Sequence, residues 1–542
     1  MTGTSRLALV FALAALALLY GGAAPGPATA GTILTVNTTD AAADGACDAH
    51  CSLADALAAA GGGDTVAFDI PPSDPGYDAG LGVWTIHPPS PFTVREGLTV
   101  DGTTQAANQG DTNPLGPEVE VDGSSHEAAY NCFRLRSESV LRGLVVNRCG
   151  SYGVWVEGSG IRVAGNYIGT DPTGTEDAGA ALDGVLVIRA QDNIIGGAAP
   201  GDRNIISGNR TGVRISDATS EGNQIAGNYI GTDRAGGAAL GNEFYGVNIH
   251  AGAHDNEVGP GNVISGNLWG LYFSEGPSDN TVHDNYVGSD ASGAAPLPNT
   301  GLGVMLSGGA AGNTIGPGNV VAYNARDGVW VEGADVLGNT VTRNSIFANG
   351  TVNHLGINNL SGGNLELAAP SIASASPPVG TACAGCTVEL FSDGEDEGRV
   401  YEGTATADGT GNWTLNPSVS GPNLTATATD AAGNTSEFSA PFALPAAPYI
   451  WGDADCNNSL AIGDAQKIAR KLIDLAITQT PPCFELGADV TVDGAPRRWA
   501  DADCNGALAI GDAQKIARKL IDLAVTQEAG CPRIGDTVAV LS

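Results

Sequence analysis

The phrase Gly-Val-x-Val, with conservative changes, recurs along residues 150–335 and constrains the fold more than any other feature of the chain. It stands as Gly153-Val-Trp-Val156, Gly184-Val-Leu-Val187, Gly212-Val-Arg-Ile215 and Gly246-Val-Asn-Ile249, then as Gly270-Leu-Tyr-Phe273, Gly303-Val-Met-Leu306 and Gly328-Val-Trp-Val331. Between the phrases come Asn-x-[Ile/Val] steps at Asn193, Asn223, Asn256, Asn280, Asn313 and Asn339, and again at Asn204, Asn228, Asn262, Asn285, Asn319 and Asn344. Self-similarity at so short a period is the mark of stacked units that cannot bury a face alone. Three short alternating strands per repeat, punctuated by Gly and Asn, describe one coil of a right-handed parallel β-helix. Asparagine suits the corners because it tolerates turn backbone and its amide can bond the same residue one coil away. Nearly ten coils counted from residue 130 would stack to about 40 Å at the usual strand spacing.

Alternate coils are longer. Those carrying Asn166-Tyr-Ile-Gly-Thr-Asp171, Asn228-Tyr-Ile-Gly-Thr-Asp233 and Asn285-Tyr-Val-Gly-Ser-Asp290 bulge at one corner, which sets Asp171, Asp233 and Asp290 in a column. Such a column is either a metal- or sugar-binding edge or a set of side chains capping their own turns, the commoner use of Asp at that place.

The net charge of −35 excludes nucleic-acid partners, whose binding is dominated by Lys and Arg. It also predicts that polyanionic glycans are repelled unless a cation bridges them. All four lysines, Lys467, Lys471, Lys515 and Lys519, lie near the C-terminus, so the solenoid has no lysine for proton abstraction. β-Helices host polysaccharide lyases and glycoside hydrolases, but a fold does not license an activity. The candidate constellation joins His250, His254 and Asp255 on one coil to Asp279, His283 and Asp284 on the next, with Asp233 and Arg234 supplying a carboxylate and a base. Of these, Asp233, Arg234, His283 and Asp284 are the catalytic candidates; the bland alternative is a row of solvated corners. Whether the chain is an enzyme is left open.

The second strong signal is a seventeen-residue stretch, LAIGDAQKIARKLIDLA, present unchanged at 460–476 and 508–524. Each copy follows an acidic lead. Asp453, Asp455 and Asn457 precede the first, and Asp501, Asp503 and Asn505 the second, at loop positions 1, 3 and 5. Ser459 and Ala507 stand at position 7, and Asp464 and Asp512 at position 12. This is EF-hand spacing, which wraps six to eight oxygens around Ca2+. Two such loops in tandem, with Asp at position 12, resemble dockerin, a calcium-dependent module that docks secreted proteins onto cohesin receptors. The resemblance covers residues 450–531 and implies Ca2+ as the bound ion and a cohesin-like receptor as partner. Ile462-Gly463 and Ile510-Gly511 replace the small hydroxyl residues that dockerins often carry there, so docking specificity is not readable.

The N-terminus reads as an export signal: Arg6, an apolar run from Leu7 to Tyr20, and a small-residue cleavage site at Ala28-Thr29-Ala30. No later segment is long and apolar enough to span a membrane. The ten cysteines fall in local pairs, Cys47/Cys51, Cys132/Cys149, Cys383/Cys386, Cys456/Cys483 and Cys504/Cys531, as disulfides of an exported chain would. Cys51-Ser-Leu-Ala-Asp-Ala-Leu57 resembles the CSLREA-type opening of secreted bacterial β-helix proteins, with Ala54 and Asp55 in place of its Arg-Glu, and implies a short helix capping the first coil. From Pro370 the period changes, and strands at 387–391, 411–415 and 424–428 resemble a bacterial immunoglobulin-like sandwich. Asp393, Glu395, Asp396 and Glu397 form an acidic hairpin tip that either holds a cation or is solvated. The expected organisation is a signal peptide (1–30), a cap with first coils (31–125), a β-helix (126–368), a sandwich (369–443), a linker (444–449) and a calcium module (450–542). The function that follows is an extracellular, calcium-binding protein concerned with polysaccharide binding or breakdown, or alternatively a structural or adhesive exoprotein.

Overall fold

The computed structural model describes residues 31–125, 130–350, 355–416, 419, 421–444 and parts of 449–541. The expected export signal, and Asp455, Asn457, Ser459, Asp503 and the Cys456/Cys483 pair in the C-terminal module, lie outside the described residues.

Two parallel sheets of eleven strands and one of ten run the length of a single stack. The first sheet runs from Ile33–Val36 to Thr340–Val341, the second from Tyr77–Asp78 to Ser345–Phe347, and the third from Phe92–Val94 to Ile357–Leu360. Each coil contributes one strand to each sheet, which is a parallel β-helix. Within the second sheet, Tyr77–Asp78 pairs antiparallel with Val83–Ile86. The strands at Ile33–Val36, Thr65–Phe68 and Thr99–Asp101 belong to the first sheet, so residues 31–125 contribute the first coils of the same stack. A true cap is present too: the helix Leu53–Ala59 buries Leu53, Ala56 and Leu57, and Ser52 and Asp55 close a capping box at its start.

The recurring phrase is explained by register. Its first Val column, Val154, Val185, Val213, Val247, Leu271, Val304 and Val329, and its second, Val156, Val187, Ile215, Ile249, Phe273, Leu306 and Val331, are in register coil to coil and fully buried. The glycine ahead of them is a matter of space. A Cβ on Gly246 would stand 2.6 Å from Ile264 Cγ2, 2.7 Å from the carbonyl of Gly270 and 2.9 Å from Asn267 Nδ2.

Three buried asparagine ladders, not two, run along the corners. The expected series Asn193–Asn339 and Asn204–Asn344 are joined by Asn209, Asn242, Asn267, Asn299, Asn324 and Asn349. In each, the amide donates to the Oδ1 of the next asparagine, so side chains continue the hydrogen bonding that the turning backbone leaves.

The third ladder ends on another domain. Two antiparallel sheets of three and four strands, spanning Ser371–Ala443, form a sandwich around Val388, Leu390, Trp413 and Leu424. Glu397 of this sandwich accepts from the backbone and side chain of Asn349, and Glu389 accepts from Thr342 Oγ1 and Arg343 N. Glu397 is thus turned inward against the last coil, where the ordinary expectation for an acidic tip was water. The contact covers the open end of the stack, which would otherwise present an unpaired strand edge.

In the C-terminal module the helices Ile462–Lys471 and Ile510–Leu520 pack on each other through Ile468 and Ile516. The module also holds strands that the sequence reading lacked. Asp489–Val492 pairs with Ala495–Arg498 and Val540–Leu541, and Tyr449–Ile450 pairs with Thr537–Val538, so Tyr449 belongs to the module rather than to a linker. The pairs Cys47–Cys51, Cys132–Cys149, Cys383–Cys386 and Cys504–Cys531 are disulfides.

Candidate functional site

The sequence candidates separate in space. Asp233 and Arg234 lie on a bulged loop over the second sheet, where Tyr167, Tyr229 and Tyr286 are packed beneath the loops. Asp233 Oδ1 accepts from the backbone of Gly237 and Ala238, and Asp171 and Asp290 cap their own loops in the same way. The three loops touch in sequence, Arg234 N donating to Gly174 O and Ala291 N to Gly236 O. The Asp column is therefore structural: each carboxylate satisfies the amides of its own turn.

His283 sits elsewhere, just beyond the first-sheet strand Thr281–Val282. Its Nδ1 is 2.8 Å from Asp284 and its Nε2 is 2.6 Å from Glu257. Burial opposes the charge on His283, but the two carboxylates outweigh it and raise its pKa. One coil earlier His254 makes a similar arrangement, with Asp255 at 2.8 Å and Glu221 at 3.6 Å, and the hydrogen bond to Asp255 raises its pKa. Asp279 stands at a turn with positive φ just before the same strand Thr281–Val282. The catalytic set is not assembled: Asp233 and Arg234 are on a different face from His283 and Asp284.

What the coils do assemble was written in the x of the repeating phrase. With both flanking Val columns turned inward, x points out of the third sheet, giving the column Arg134, Trp155, Leu186, Arg214, Asn248, Tyr272, Met305 and Trp330. A second outward column places Asp183, Thr211, Tyr245 and Trp269 side by side. Three of the seven tryptophans in the chain are thus half-exposed on one face. Tyr245, Trp269 and Tyr272 pack as a platform, with ring centroids 5.5 Å apart for Tyr245–Trp269, 4.9 Å for Tyr245–Tyr272 and 5.2 Å for Trp269–Tyr272. Gly301 makes room for Trp269, since a Cβ there would meet the indole at 2.5 Å.

In the same column as Tyr245, two coils earlier, Asp183 is fully buried and 2.9 Å from Arg214. Burial pushes its pKa up to about 6, against the pull of Arg214. Asp183 Oδ2 and Arg214 Nε are buried without a hydrogen-bond partner among the described residues. Ser307 Oγ reaches the Tyr272 hydroxyl at 3.3 Å.

In the C-terminal loops, the position-1 and position-12 carboxylates, Asp453, Asp464, Asp501 and Asp512, are all buried. Asp464 accepts from Ala454 N and Ala461 N, Asp512 accepts from Ala509 N, and Asp501 accepts from Asn505 N. Ala507 N donates to Asn505 Oδ1.

Fold and face together define a parallel β-helix that carries an aromatic row on one sheet. A family described as "Periplasmic copper-binding protein (NosD)" matches residues 137–295, a part of this stack. Copper favours thiolate, thioether or converging imidazole donors. Residues 137–295 contain no methionine, and Cys149 is held in a disulfide. His250, His254 and His283 each face carboxylates rather than one another. The residues present do not fit copper. No curated protein matches the chain. Among solved structures, the Dettilon tailspike protein is 14% identical, with 72% of this chain and 81% of that chain covered and a TM-score of 0.37. Pectate lyase Pel9A is 14% identical over 61% of this chain and 76% of its own, TM-score 0.29. The periplasmic alginate epimerase AlgG is 13% identical over 55% and 70%, TM-score 0.26. None of these likenesses assigns a role to a residue of this chain.

Among the described residues, no helix is long and apolar enough to cross a membrane.

Proposed function

We propose that this is an exported glycan-binding protein whose solenoid seats a polysaccharide along the outward face of the third sheet. The observation that carries this is the aromatic row Trp155, Tyr245, Trp269, Tyr272 and Trp330, held half-exposed by strands in fixed register. A sugar ring offers a flat face of C–H groups and a rim of hydroxyls. Rigid aromatic faces match the first at low entropic cost. Arg214, His250 and Ser307 beside them offer partners for the second. Large rings left half-buried in two neighbouring outward columns of one sheet, where polar residues would keep the sheet wetted, make the kind of apolar patch that marks a ligand surface. Four coil steps separate Trp155 from Tyr272, about 19 Å at the spacing of paired strands, so the ligand is an extended chain rather than a single sugar.

The test is binding of the protein to a panel of polysaccharides, with reducing ends and unsaturated products followed in the same tubes. Replacing Trp269 and Tyr272 together by Ala should weaken binding by about tenfold, the equivalent of one good ring contact. Binding indifferent to that change would remove the platform from the argument, and no binding to any member would leave the solenoid a spacer or adhesive element. Product formation would make the protein a polysaccharide lyase or glycoside hydrolase.

A second reading concerns the C-terminal module, which we infer to fold around two Ca2+ ions and to tether the protein to a cohesin-like receptor. Four buried carboxylates at positions 1 and 12 of the two loops support the first half, since EF-hand spacing puts these oxygens on Ca2+. The second half draws on duplication. Ile462 and Ile510 occupy equivalent places at the starts of the two helices and are 56% and 54% exposed, with Leu472 and Leu520 equivalent and exposed at the other ends. The module therefore presents one apolar face twice. Calorimetric titration of the protein with Ca2+ should show two sites, lost on changing Asp464 and Asp512 to Ala.

A further inference from the structure

We propose that the early coils of the same outward face form a subsite for an anionic sugar group, a carboxylate or a sulfate, so that the polysaccharide held there is an acidic one. The inference rests on the glycan reading above and deepens it. Four arginines, Arg95, Arg134, Arg136 and Arg189, gather on this part of the third sheet although they come from three different coils. Arg134 Nε lies 3.0 Å from Glu157 Oε2, Arg136 is 2.8 Å from the same oxygen, and Arg189 is 3.4 Å from Oε1. Arg95, one coil before Arg136 in the same row, donates to the carbonyls of Ala58 and Ala60 in the capping helix region. Together with Thr93, Glu96, Ser137 and Gly158, Arg95, Arg136, Glu157 and Arg189 line an open groove of about 600 Å³.

The charges do not cancel. Three guanidiniums of the groove lining, with Arg134 beside them on Glu157, face two carboxylates, Glu96 and Glu157, in a chain whose overall charge is −35. Burial works against the charge on Glu157, but Arg134 and its neighbours outweigh it and lower its pKa, so it stays ionised and is shared three ways. A guanidinium has five N–H donors in a rigid fork, and a single shared carboxylate occupies only part of them on Arg136 and Arg189, whose side chains are 39% and 55% exposed. Such forks match carboxylate and sulfate oxygens. The overall negative charge does not forbid this, because exposed charges further away than about 8 Å are largely screened at physiological salt. The expectation that a polyanion is repelled unless a cation bridges it holds for the average surface and fails at this place.

Trp155 ties the groove to the aromatic row. Its ring lies 4.9 Å under the Arg134 guanidinium and 5.7 Å from Tyr152, so an apolar sugar face and an anionic substituent would be met by adjacent residues of neighbouring coils.

The experiment compares the full protein with Arg136→Gln/Arg189→Gln and with Trp269→Ala/Tyr272→Ala, by titration against polygalacturonate, dextran sulfate and a neutral β-glucan. The parent should prefer one or both acidic polymers over the neutral one, with affinity falling as salt rises. The arginine pair should lower that affinity by about tenfold while leaving neutral-glycan binding and the melting temperature unchanged, since Arg134 still neutralises Glu157. Preference for polygalacturonate assigns the groove to carboxylates, and preference for dextran sulfate to sulfates. Acidic-polymer binding that ignores the arginine change but fails with the aromatic change overturns the anionic subsite and keeps the platform. Binding lost with the arginines but untouched by the aromatic change supports the subsite and overturns the platform. No preference for acidic polymers overturns the inference outright.

Discussion

Replacing Asn262 by Ala is a sharp test of what holds the coils together. Asn262 is fully buried in the middle of a ladder. Its Oδ1 accepts from Asn228 N at 2.9 Å and from Asn228 Nδ2 at 3.1 Å, and its Nδ2 donates to Ile225 O at 2.7 Å and to Asn285 Oδ1 at 2.8 Å. Not all four losses cost alike. Asn228 Nδ2 keeps Ile195 O and Ala226 O, Ile225 O keeps the amide of Gly259, and Asn285 Oδ1 keeps the backbone N–H of residue 262. The Asn228 backbone N–H is the one group left with no partner. An orphaned buried donor costs about 1–3 kcal/mol, and each of three exchanged hydrogen bonds adds about 0.5 kcal/mol or more, so the total is about 3–4 kcal/mol. The assay is urea unfolding together with amide exchange. In a solenoid each coil touches only its neighbours, so faster exchange should be confined to the coils near residues 225–290 and absent near residues 154–168. A cost below about 1 kcal/mol, or loosening spread evenly over the stack, would refute the ladder as the coil-to-coil fastener. Thr281→Ala, on the outward face of the neighbouring coil, serves as the control and should change stability by less than about 0.5 kcal/mol.

Burial pushes the Glu397 carboxyl up to about 8, so its neutral form stabilises the solenoid–sandwich contact; that contribution is complete below the ordinary value of 4.5 and is lost as pH rises to about 8. Glu397→Gln should therefore flatten the pH dependence of stability and be the more stable protein at pH 8.5, by up to about 5 kcal/mol at ~1.4 kcal/mol per pH unit, whereas equal melting curves for the two proteins at pH 8.5 would contradict this. Gly246→Ala puts a methyl group 2.7 Å from a backbone carbonyl, and a loss of about 1–3 kcal/mol in urea unfolding is expected, with an unchanged midpoint counting against the packing account. Chelating Ca2+ should unfold residues 450–531 and leave the solenoid's β signal intact, because metal and folding are coupled in small loop-helix modules; unaltered helical circular dichroism under chelator would sink it.

The coil stack was legible because the features that make it are local and periodic. Val at alternate positions, Gly ahead of them and Asn at the corners each report a backbone requirement repeated in every coil, and the disulfide pairs at short separation were equally plain. The third ladder was missed although Gly-Asn recurs at Gly208-Asn209, Gly241-Asn242 and Gly266-Asn267, because it precedes the glycine phrase rather than following it. The catalytic grouping misled for a related reason. Asp233 and His283 stand at comparable corners in the sequence pattern, but the sequence does not say that one corner follows a strand of the second sheet and the other a strand of the first.

The sequence by itself therefore determined the period, the inward columns, the buried corners and the duplication of the C-terminal loop and helix, since each follows from residue types at fixed local spacing. Only the tertiary structure decided which outward residues become neighbours. Arg95, Arg136 and Arg189 are spread over nearly a hundred residues, and Tyr245 and Trp269 over more than twenty, yet register sets them one or a few coils apart. It also decided that the second domain seals the last coil through Glu397 and Glu389. Burial selects inward residues so strongly that sequence records them, whereas outward residues are free to vary and acquire meaning only from what lies beside them in the next coil.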